Sequence, residues 1–419
     1  MDLKVVKGMR DIVEDEMIRF QFLERKAREV FRLYGYEEIR TPLLEMTDLF
    51  KKGVGEDTDI IGKEMYLLKD RRDQSLALRP EGTASVVRSV INNNLLKKNK
   101  TVKYFYMGPM FRFERPQKGR YRQFHQIGIE FFGVPSADAD LETLLMLNHY
   151  LTEIELFEIS FELNSIGCLN ENCRPAFKER LKSHLNEKKD RLCENCNRRI
   201  NTNPLRVLDC KVKECIEATR DAPSIVEFLC GDCSRHFDEL LRLLSGHKVK
   251  FNVNPRLVRG LDYYSKTVFE VYSNNLGAQN AVGGGGRFDY LFEVYGESPV
   301  PSIGFALGTD RLSMLLPQRE PQGGGVFILG QDRELVSKLA ADCRLAGIVS
   351  HYDPFLSSMK SQMRQANRHG VQKTLIVGEE EISQKQVAVK DMHNGEQENI
   401  SMDLIIQYLN QALLKNTNQ

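Results

Sequence analysis

Tyr104-Phe-Tyr-Met-Gly-Pro-Met-Phe-Arg-Phe-Glu-Arg-Pro-Gln-Lys-Gly-Arg-Tyr-Arg-Gln-Phe-His-Gln-Ile-Gly-Ile-Glu-Phe-Phe-Gly133 sets two short apolar, β-leaning runs on either side of a basic loop. Arg112 and Glu114 leave the first run, and Phe124, Gln126 and Glu130 sit on the second. An arginine on a rigid strand grips a phosphate through two parallel hydrogen bonds. A nearby carboxylate accepts a base's exocyclic amine, and an aromatic ring two residues past Arg122 stacks a purine. Together the runs and the loop read as a place to hold a nucleotide.

Outward from this stretch, helical and extended segments separate cleanly. Phe20, Leu23, Ala27, Val30, Phe31 and Tyr34 form one helical stripe over residues 14–34, and Gly35 follows as a C-terminal cap. Residues 36–44 read as a strand interrupted by Pro42, which belongs at a sheet boundary. Residues 64–68 and 74–79 read as paired strands. Helices are expected from Thr83 and over 138–157, and strands at 249–253 and 267–272. Residues 168–245 change to short charged helices with eight of the nine cysteines, and so read as an inserted subdomain. After Gly325 strands alternate with helices, ending in a hairpin around Asn394-Gly395 and a helix over 403–414. This grammar predicts a small α/β domain with a mostly parallel sheet, reached through a linker of Pro317, Pro321 and Gly323 to Gly325.

Composition narrows the class. The chain has 419 residues, 41% hydrophobic and 28% charged, enough for two or three full cores. A net charge of +1 means that a polyanionic partner must be met by local basic patches. The N-terminal residues lack the apolar core of a secretion signal, and no run reaches the length of a membrane span, so the cytoplasm is the expected location. In that setting the cysteines are expected to be reduced or metal-bound rather than paired as disulfides. Cys193-x2-Cys196 and Cys230-x2-Cys233 have the internal spacing of zinc ligands, although 33 residues separate the pairs, and Cys168-x4-Cys173 and Cys210-x4-Cys215 add four thiols. A structural zinc on Cys193, Cys196, Cys230 and Cys233 and plain reduced thiols both fit these spacings.

Three segments resemble, in order, the motifs of the class II aminoacyl-tRNA synthetases. Residues 35–42 resemble motif 1, residues 104–133 motif 2, and Gly304-Phe-Ala-Leu-Gly-Thr-Asp-Arg-Leu312 motif 3, with Asp310 where the family more often has Glu. Two more are similar to motifs of the histidyl branch: Leu257-Val-Arg-Gly-Leu-Asp-Tyr-Tyr264 and Gly283-Gly-Gly-Gly-Arg-Phe-Asp289, where Phe288 stands in place of an expected tyrosine. Arg79-Pro-Glu-Gly-Thr-Ala84 matches the corner that holds the substrate's amino group. The resemblance spans residues 8–312 and the C-terminal domain. Taken singly, the glycine quartet reads as a tight turn, Tyr263 and Tyr264 as the two faces of a strand, His125 as a structural residue, and Lys97 to Lys100 as a solvated face.

The resemblance implies an α+β catalytic domain built on an antiparallel sheet (residues 1–167 and 246–318), a helical Cys-rich insertion (168–245) and a C-terminal α/β anticodon-binding domain (325–419). It implies a homodimer that activates L-histidine with ATP and Mg2+ and then charges tRNA(His). Arg112 and Arg259 are then the catalytic cations. Glu114, Arg120, Phe124 and Arg311 complete the ATP site, while Glu81, Thr83, Gln126, Glu130, Tyr263 and Tyr264 hold histidine. In that family an arginine at the position of Arg259 takes the place where relatives put a catalytic metal. Arg364, Arg368 and Lys373, together with the loop from Arg115 to Arg122, are basic candidates for contact with tRNA. The insertion is expected to have little bearing on catalysis. A catalytically silent, synthetase-like regulatory subunit of histidine biosynthesis is the alternative from another functional class.

Overall fold

The structure, a computed structural model, describes residues 3–55, 58–273, 281–318 and 324–414. The chain divides into two units, Met1–Gln318 and Arg319–Gln419. Pro321 and Gly323 of the expected linker lie outside the described residues.

The first unit is organised by an eight-stranded sheet in the spatial order Glu37–Glu38, Val102–Phe111, Gln123–Phe132, Ser302–Gly308, Ala281–Arg287, Ser265–Ser273, Ile159–Ser165, Phe251–Val253. All internal pairings are antiparallel, and only the two outer ones are parallel. Alternation along Gln123–Phe132 separates two faces. Ile127, Ile129 and Phe131 point into the core, where helices Glu14–Leu33 and Ala137–Glu153 bring Leu23, Ala27, Phe31 and Tyr150 against them. Phe31 meets Phe105, Tyr150 and Phe305 at centroid distances of 5.5–6.0 Å. Phe124, Gln126, Gly128 and Glu130 take the opposite face, which is the floor of the site.

The two-residue strand Glu37–Glu38 lies at the sheet edge and ends before Pro42, as a strand meeting a proline must. Leu44–Met46, Leu67–Lys69 and Ser75–Leu78 form a separate three-stranded sheet. Gly283 to Gly286, which singly read as a turn, instead run along a central strand. Carbonyls of the flanking strands explain the composition. A Cβ at Gly284 would lie 2.5 Å from the Phe269 oxygen, and one at Gly285 would lie 2.0 Å from that of Gly304.

The insertion forms helices Arg174–Glu187, Glu194–Thr202, Lys213–Ala218 and Gly231–Gly246. The last of these places Phe237, Leu240 and Leu244 in the core behind the large sheet.

The second unit has five strands in the order Ser350–Tyr352, Val326–Gly330, Lys373–Val377, Gln386–Asp391, Gln397–Ser401. The first three are parallel and the last two antiparallel, so the sheet is mixed rather than mostly parallel. Strand direction reverses twice, across helix Glu379–Ser383 between Lys373–Val377 and Gln386–Asp391 and again at the hairpin around Asn394-Gly395. Helices Arg333–Leu345 and Ile405–Leu414 share one hydrophobic cluster, whereas Ala366 of Met359–His369 joins Phe327 and Leu329 in another. Arg364 and Arg368 are exposed, but Lys373 is buried and bound to Asp391 at 3.0 Å, which removes it as a surface contact for RNA.

Candidate active site

A cleft of about 1050 Å³, counted to its open mouth, lies on the polar face of the large sheet. Arg112, Glu114, Arg120, Phe124, Arg259 and Arg311 line it, as do Glu81, Thr83, Gln126, Tyr263 and Tyr264. Glu130 is fully buried beneath, where Thr83 joins it to the wall. Residues far apart in sequence thus meet in one cavity.

Arginines hold the outer end. Arg112 follows the strand Val102–Phe111; its Nε donates to the Pro80 carbonyl at 2.9 Å, and its guanidinium stands 5.2 Å from the Phe124 ring centre. Glu114 faces Arg112 at 3.8 Å and Arg120 at 3.3 Å, so its carboxylate already has two cationic partners. Arg311 rises from the short helix Thr309–Leu315 and donates to the carbonyls of Gly119 (3.2 Å) and Ala281 (2.6 Å). Burial pulls its guanidinium below the ordinary value, and the charge of Arg120 adds to the effect. Arg259 pairs with Glu270 and lies 5.6 Å from the Tyr264 ring centre. Burial opposes its charge, but Glu270 and Tyr264 more than offset that and hold it protonated.

Carboxyls and phenols hold the inner end. Glu81 accepts from the backbone N–H groups of Thr83 (2.8 Å) and Ala84 (2.9 Å) at the start of helix Thr83–Asn92. Burial raises its pKa, and these hydrogen bonds limit the rise. The Thr83 hydroxyl donates to Glu130 at 2.6 Å rather than facing the cavity alone. Burial drives Glu130 well above the usual carboxyl range; Thr83 opposes this and the charge of Glu81 adds to it. Tyr263 approaches Glu81 at 3.5 Å and stacks obliquely on Tyr264 at 4.7 Å. Among the described residues Gln126 Oε1 is buried without a hydrogen-bond partner, and Glu130 Oε2 has only the Tyr106 hydroxyl to turn to. Such acceptors are costly unless something arrives to satisfy them. Phe288 makes an apolar wall edge-on to Tyr263 at 5.8 Å and Phe132 at 6.1 Å.

Glu270 gave no sequence signal, whereas Tyr106, Asp310 and Arg287 lie within motif segments but had no role assigned to them. Tyr106 is buried beside Glu81 and Glu130, and its ring fills the space above Gly82 and Gly128, where a Cβ would come within 2.4 Å. Glu270 sits opposite Gly284 in the sheet, on a strand that otherwise reads as half-buried alternation. Asp310 accepts from the His125 backbone N–H (2.7 Å) and from Arg10 (2.8 Å), tying the Arg311 helix to the floor strand. Burial raises its carboxyl, but His125 and Arg10 overcome this and leave its pKa below the ordinary value. His125 is therefore a packing residue, edge-on to Phe20 at 5.4 Å. Arg287 is fully buried between Asp140 (2.6 Å) and Asp289 (3.1 Å) and donates to the Val134 carbonyl at 2.7 Å.

The insertion, expected to be remote from the chemistry, grips the loop that carries Arg259 and the two tyrosines. Arg174 donates to the Tyr264 carbonyl at 2.9 Å, and Asn203 to Asp262 at 2.7 Å. Arg256, at the start of that loop, reaches back to Thr219 Oγ1 at 2.8 Å. The thiols also group differently from the expected set. Cys193 and Cys196 do not meet Cys230 and Cys233; each pair closes on a C-x4-C segment instead, giving Cys168/Cys173/Cys230/Cys233 and Cys193/Cys196/Cys210/Cys215. The two C-x2-C pairs begin different helices, and this keeps them apart.

A family model described as histidyl-tRNA synthetase matches residues 8–312, and one described as an anticodon binding domain matches 325–412. The chain is 46% identical over 407 residues to a histidine–tRNA ligase of Maridesulfovibrio salexigens, covering 96% of this chain and 98% of that one. It is 44% identical to that of Syntrophotalea carbinolica, covering 100% and 99%. Among solved structures, apo histidyl-tRNA synthetase from S. aureus superposes with a TM-score of 0.81 at 31% identity, covering 97% of this chain and all of that one. A protein titled ATP phosphoribosyltransferase regulatory subunit/histidyl-tRNA synthetase from Bacillus halodurans C shares the fold at 21% identity, with a TM-score of 0.66 over 90% of this chain and 99% of that one.

Proposed function

As the chain belongs to the histidyl-tRNA synthetase family, we propose a division of labour within its cleft for the ligation of histidine to tRNA(His). The reaction runs in two steps at one site. A carboxylate oxygen of histidine forms a bond to the α-phosphorus of ATP, which enters as its Mg2+ complex, as the bond to the β-phosphate bridging oxygen breaks and pyrophosphate leaves. A terminal ribose hydroxyl of the tRNA then attacks the carbonyl carbon, and AMP leaves.

Both steps gather negative charge near phosphorus, so fixed cations and positioning supply most of the acceleration. Arg112 and Arg259 take the α-phosphate, Arg120 and Arg311 the β,γ end. Phe124 stacks adenine, and Glu114 accepts its amine after giving up part of its hold on Arg112 and Arg120. Glu81 accepts from the ammonium of histidine and Gln126 bridges to the carboxylate, its Oε1 accepting from the ammonium and its Nε2 donating to the carboxylate, with Thr83 between Glu81 and Glu130. Glu130 and Tyr264 bracket the ring nitrogens, since a neutral imidazole offers one donor and one acceptor. Tyr263 supports Glu81. The observation that carries this reading is the meeting of Arg112, Arg259 and Arg311 in one cleft above a buried Glu130 and an unsatisfied Gln126.

Residues 1–167 and 246–318 serve as the catalytic core, 168–245 as the insertion, and 325–419 as the anticodon-binding domain, working in the cytoplasm; among the described residues no helix is long and apolar enough to cross a membrane. A homodimer accords with Leu44, Met46, Leu67 and Leu68, exposed on the small sheet. The match to an anticodon domain over 325–412 favours the ligase over a silent regulator, which would have no tRNA to select. Histidine-dependent ATP–pyrophosphate exchange by the purified chain tests the proposal. Exchange driven by histidine alone among the amino acids supports it, and absence of exchange under saturating histidine and ATP overturns it.

A further inference from the structure

The eight cysteines of the insertion form two separate knots of sulfur. In each knot all four Sγ atoms lie within 4.8 Å of one another. Cys168 and Cys230 stand 3.7 Å apart in the first, and Cys193 and Cys210 stand 4.0 Å apart in the second. A tetrahedral ion with metal–sulfur bonds of roughly 2.3 Å requires sulfur–sulfur edges of about 3.8 Å. Disulfide sulfurs would instead sit at about 2.0 Å, and all nine cysteines are free. A four-iron cluster would put each thiolate on a different iron and spread the sulfurs wider.

The two knots repeat one design. Each combines a C-x4-C segment with a C-x2-C pair, and in each segment the first cysteine is half-buried and the second buried. Each C-x2-C opens a helix. Cys230 precedes Gly231–Gly246 with φ −64° and ψ 162°, and Cys193 precedes Glu194–Thr202 with φ −65° and ψ 161°. The positive end of each helix favours thiolate charge beside it. Backbone donors face the sulfurs as well, from Cys193 N to Cys215 Sγ at 3.1 Å and from Cys168 N to Cys173 Sγ at 3.4 Å.

We propose that the insertion binds two zinc ions, one on Cys168, Cys173, Cys230 and Cys233 and the other on Cys193, Cys196, Cys210 and Cys215. Four soft thiolates in a tetrahedron select zinc over hard cations. The sites are nested, the inner closing residues 193–215 and the outer closing 168–233 around it. No coordination position is left for water, so both are structural. Their burden is the loop at 256–264, because Arg174, Asn203 and Thr219, which hold it, all lie between the outer ligands.

The test is the metal content of the full-length protein, purified without chelator and measured by plasma mass spectrometry. Two zinc equivalents per chain are expected. Cys173→Ser and Cys215→Ser should each remove one equivalent. Cys196→Ser with Cys215→Ser should still leave one, whereas Cys196→Ser with Cys233→Ser should leave none. One zinc in the wild type, unaffected by Cys215→Ser, would restore a single site made of the two C-x2-C pairs and overturn the proposal. Less than half an equivalent of zinc, iron in its place, or an intact mass showing disulfides would also overturn it. Should the variants fail to fold, mercurial titration of the wild type decides. Two zinc ions released by eight thiol equivalents support nested tetrathiolate sites, and release of one or none refutes them.

Discussion

The two ends of the cleft hold charge in opposite conditions. At the end proposed for the nucleotide every cation already has a carboxylate or carbonyl: Arg259 has Glu270, Arg112 and Arg120 share Glu114, and Arg311 has two backbone oxygens. At the end proposed for histidine neither acid has a cation in direct contact among the described residues, Arg112 acts on Glu81 only from a distance, and burial raises both Glu81 and Glu130. A phosphate therefore exchanges one anion for another around guanidiniums that stay charged throughout. Histidine would instead bring the first cation into direct contact with these acids. The nucleotide end is preformed in charge, and the amino-acid end acquires its charge pattern with the ligand.

Arg287 is the control for this contrast, being as buried as either end but fully neutralised by Asp140 and Asp289. Arg287→Met leaves Asp140 buried without its guanidinium and should cost about 3–5 kcal/mol of stability in urea unfolding. The histidine KM of the protein that still folds should be unchanged; a shifted KM with intact stability would make Arg287 part of the site. Arg259→Ala should lower adenylate formation by roughly 10²–10³, with histidine binding much less affected in equilibrium dialysis. Turnover retained within about threefold would remove Arg259 from its role and erase the distinction between the ends.

Glu130→Gln should raise the KM for histidine by roughly 10–10², the range of one hydrogen bond to a charged group, with a smaller effect on ATP. The same variant carries a stability signature. Burial lifts the folded pKa of Glu130 above its unfolded value of about 4.3. The folded state thus holds the extra proton, and stability is lost as pH rises through the folded value. Glu130→Gln lacks this loss, so in the ligand-free protein its stability relative to wild type should improve as pH rises from about 4.3; a flat difference would place Glu130 in a solvated setting. The smallest effect belongs to Phe288→Tyr, which restores a hydroxyl beside Tyr263. A change in histidine KM of less than about threefold, under 1 kcal/mol, is expected, because the wall at Phe288 is apolar packing.

The residues that line the cleft were legible because each sits in a short segment whose chemistry and order are local. Arg112, Phe124, Gln126 and Glu130 fall on one strand pair, and alternation already put the last three on one face. What escaped the sequence was pairing across space. Glu270 looked like any solvated strand glutamate until Gly284, its neighbour in the sheet, let Arg259 approach it. The glycine run read as a turn because glycine is the usual turn residue; its strand conformation depends on carbonyls contributed by residues 267–269 and 304–306. Cysteine spacing identified each pair but held no information on which pair meets which. The mixed sheet of the second unit was half legible: the hairpin residues were recognised, but the earlier reversal between Lys373–Val377 and Gln386–Asp391 was not.

The glycine strand has a consequence for how this pocket can change. Along residues 283–286 the wall is peptide backbone, and any added carbon would strike a neighbouring strand or, at Gly284, the Arg259 guanidinium 2.8 Å away. A methyl group there would act as an inhibitor written into the chain itself. Variation in substrate preference is therefore left to the side chains around that wall, at Glu130, Tyr264 and Phe288, while a saturation library should show four adjacent positions at which no replacement supports growth.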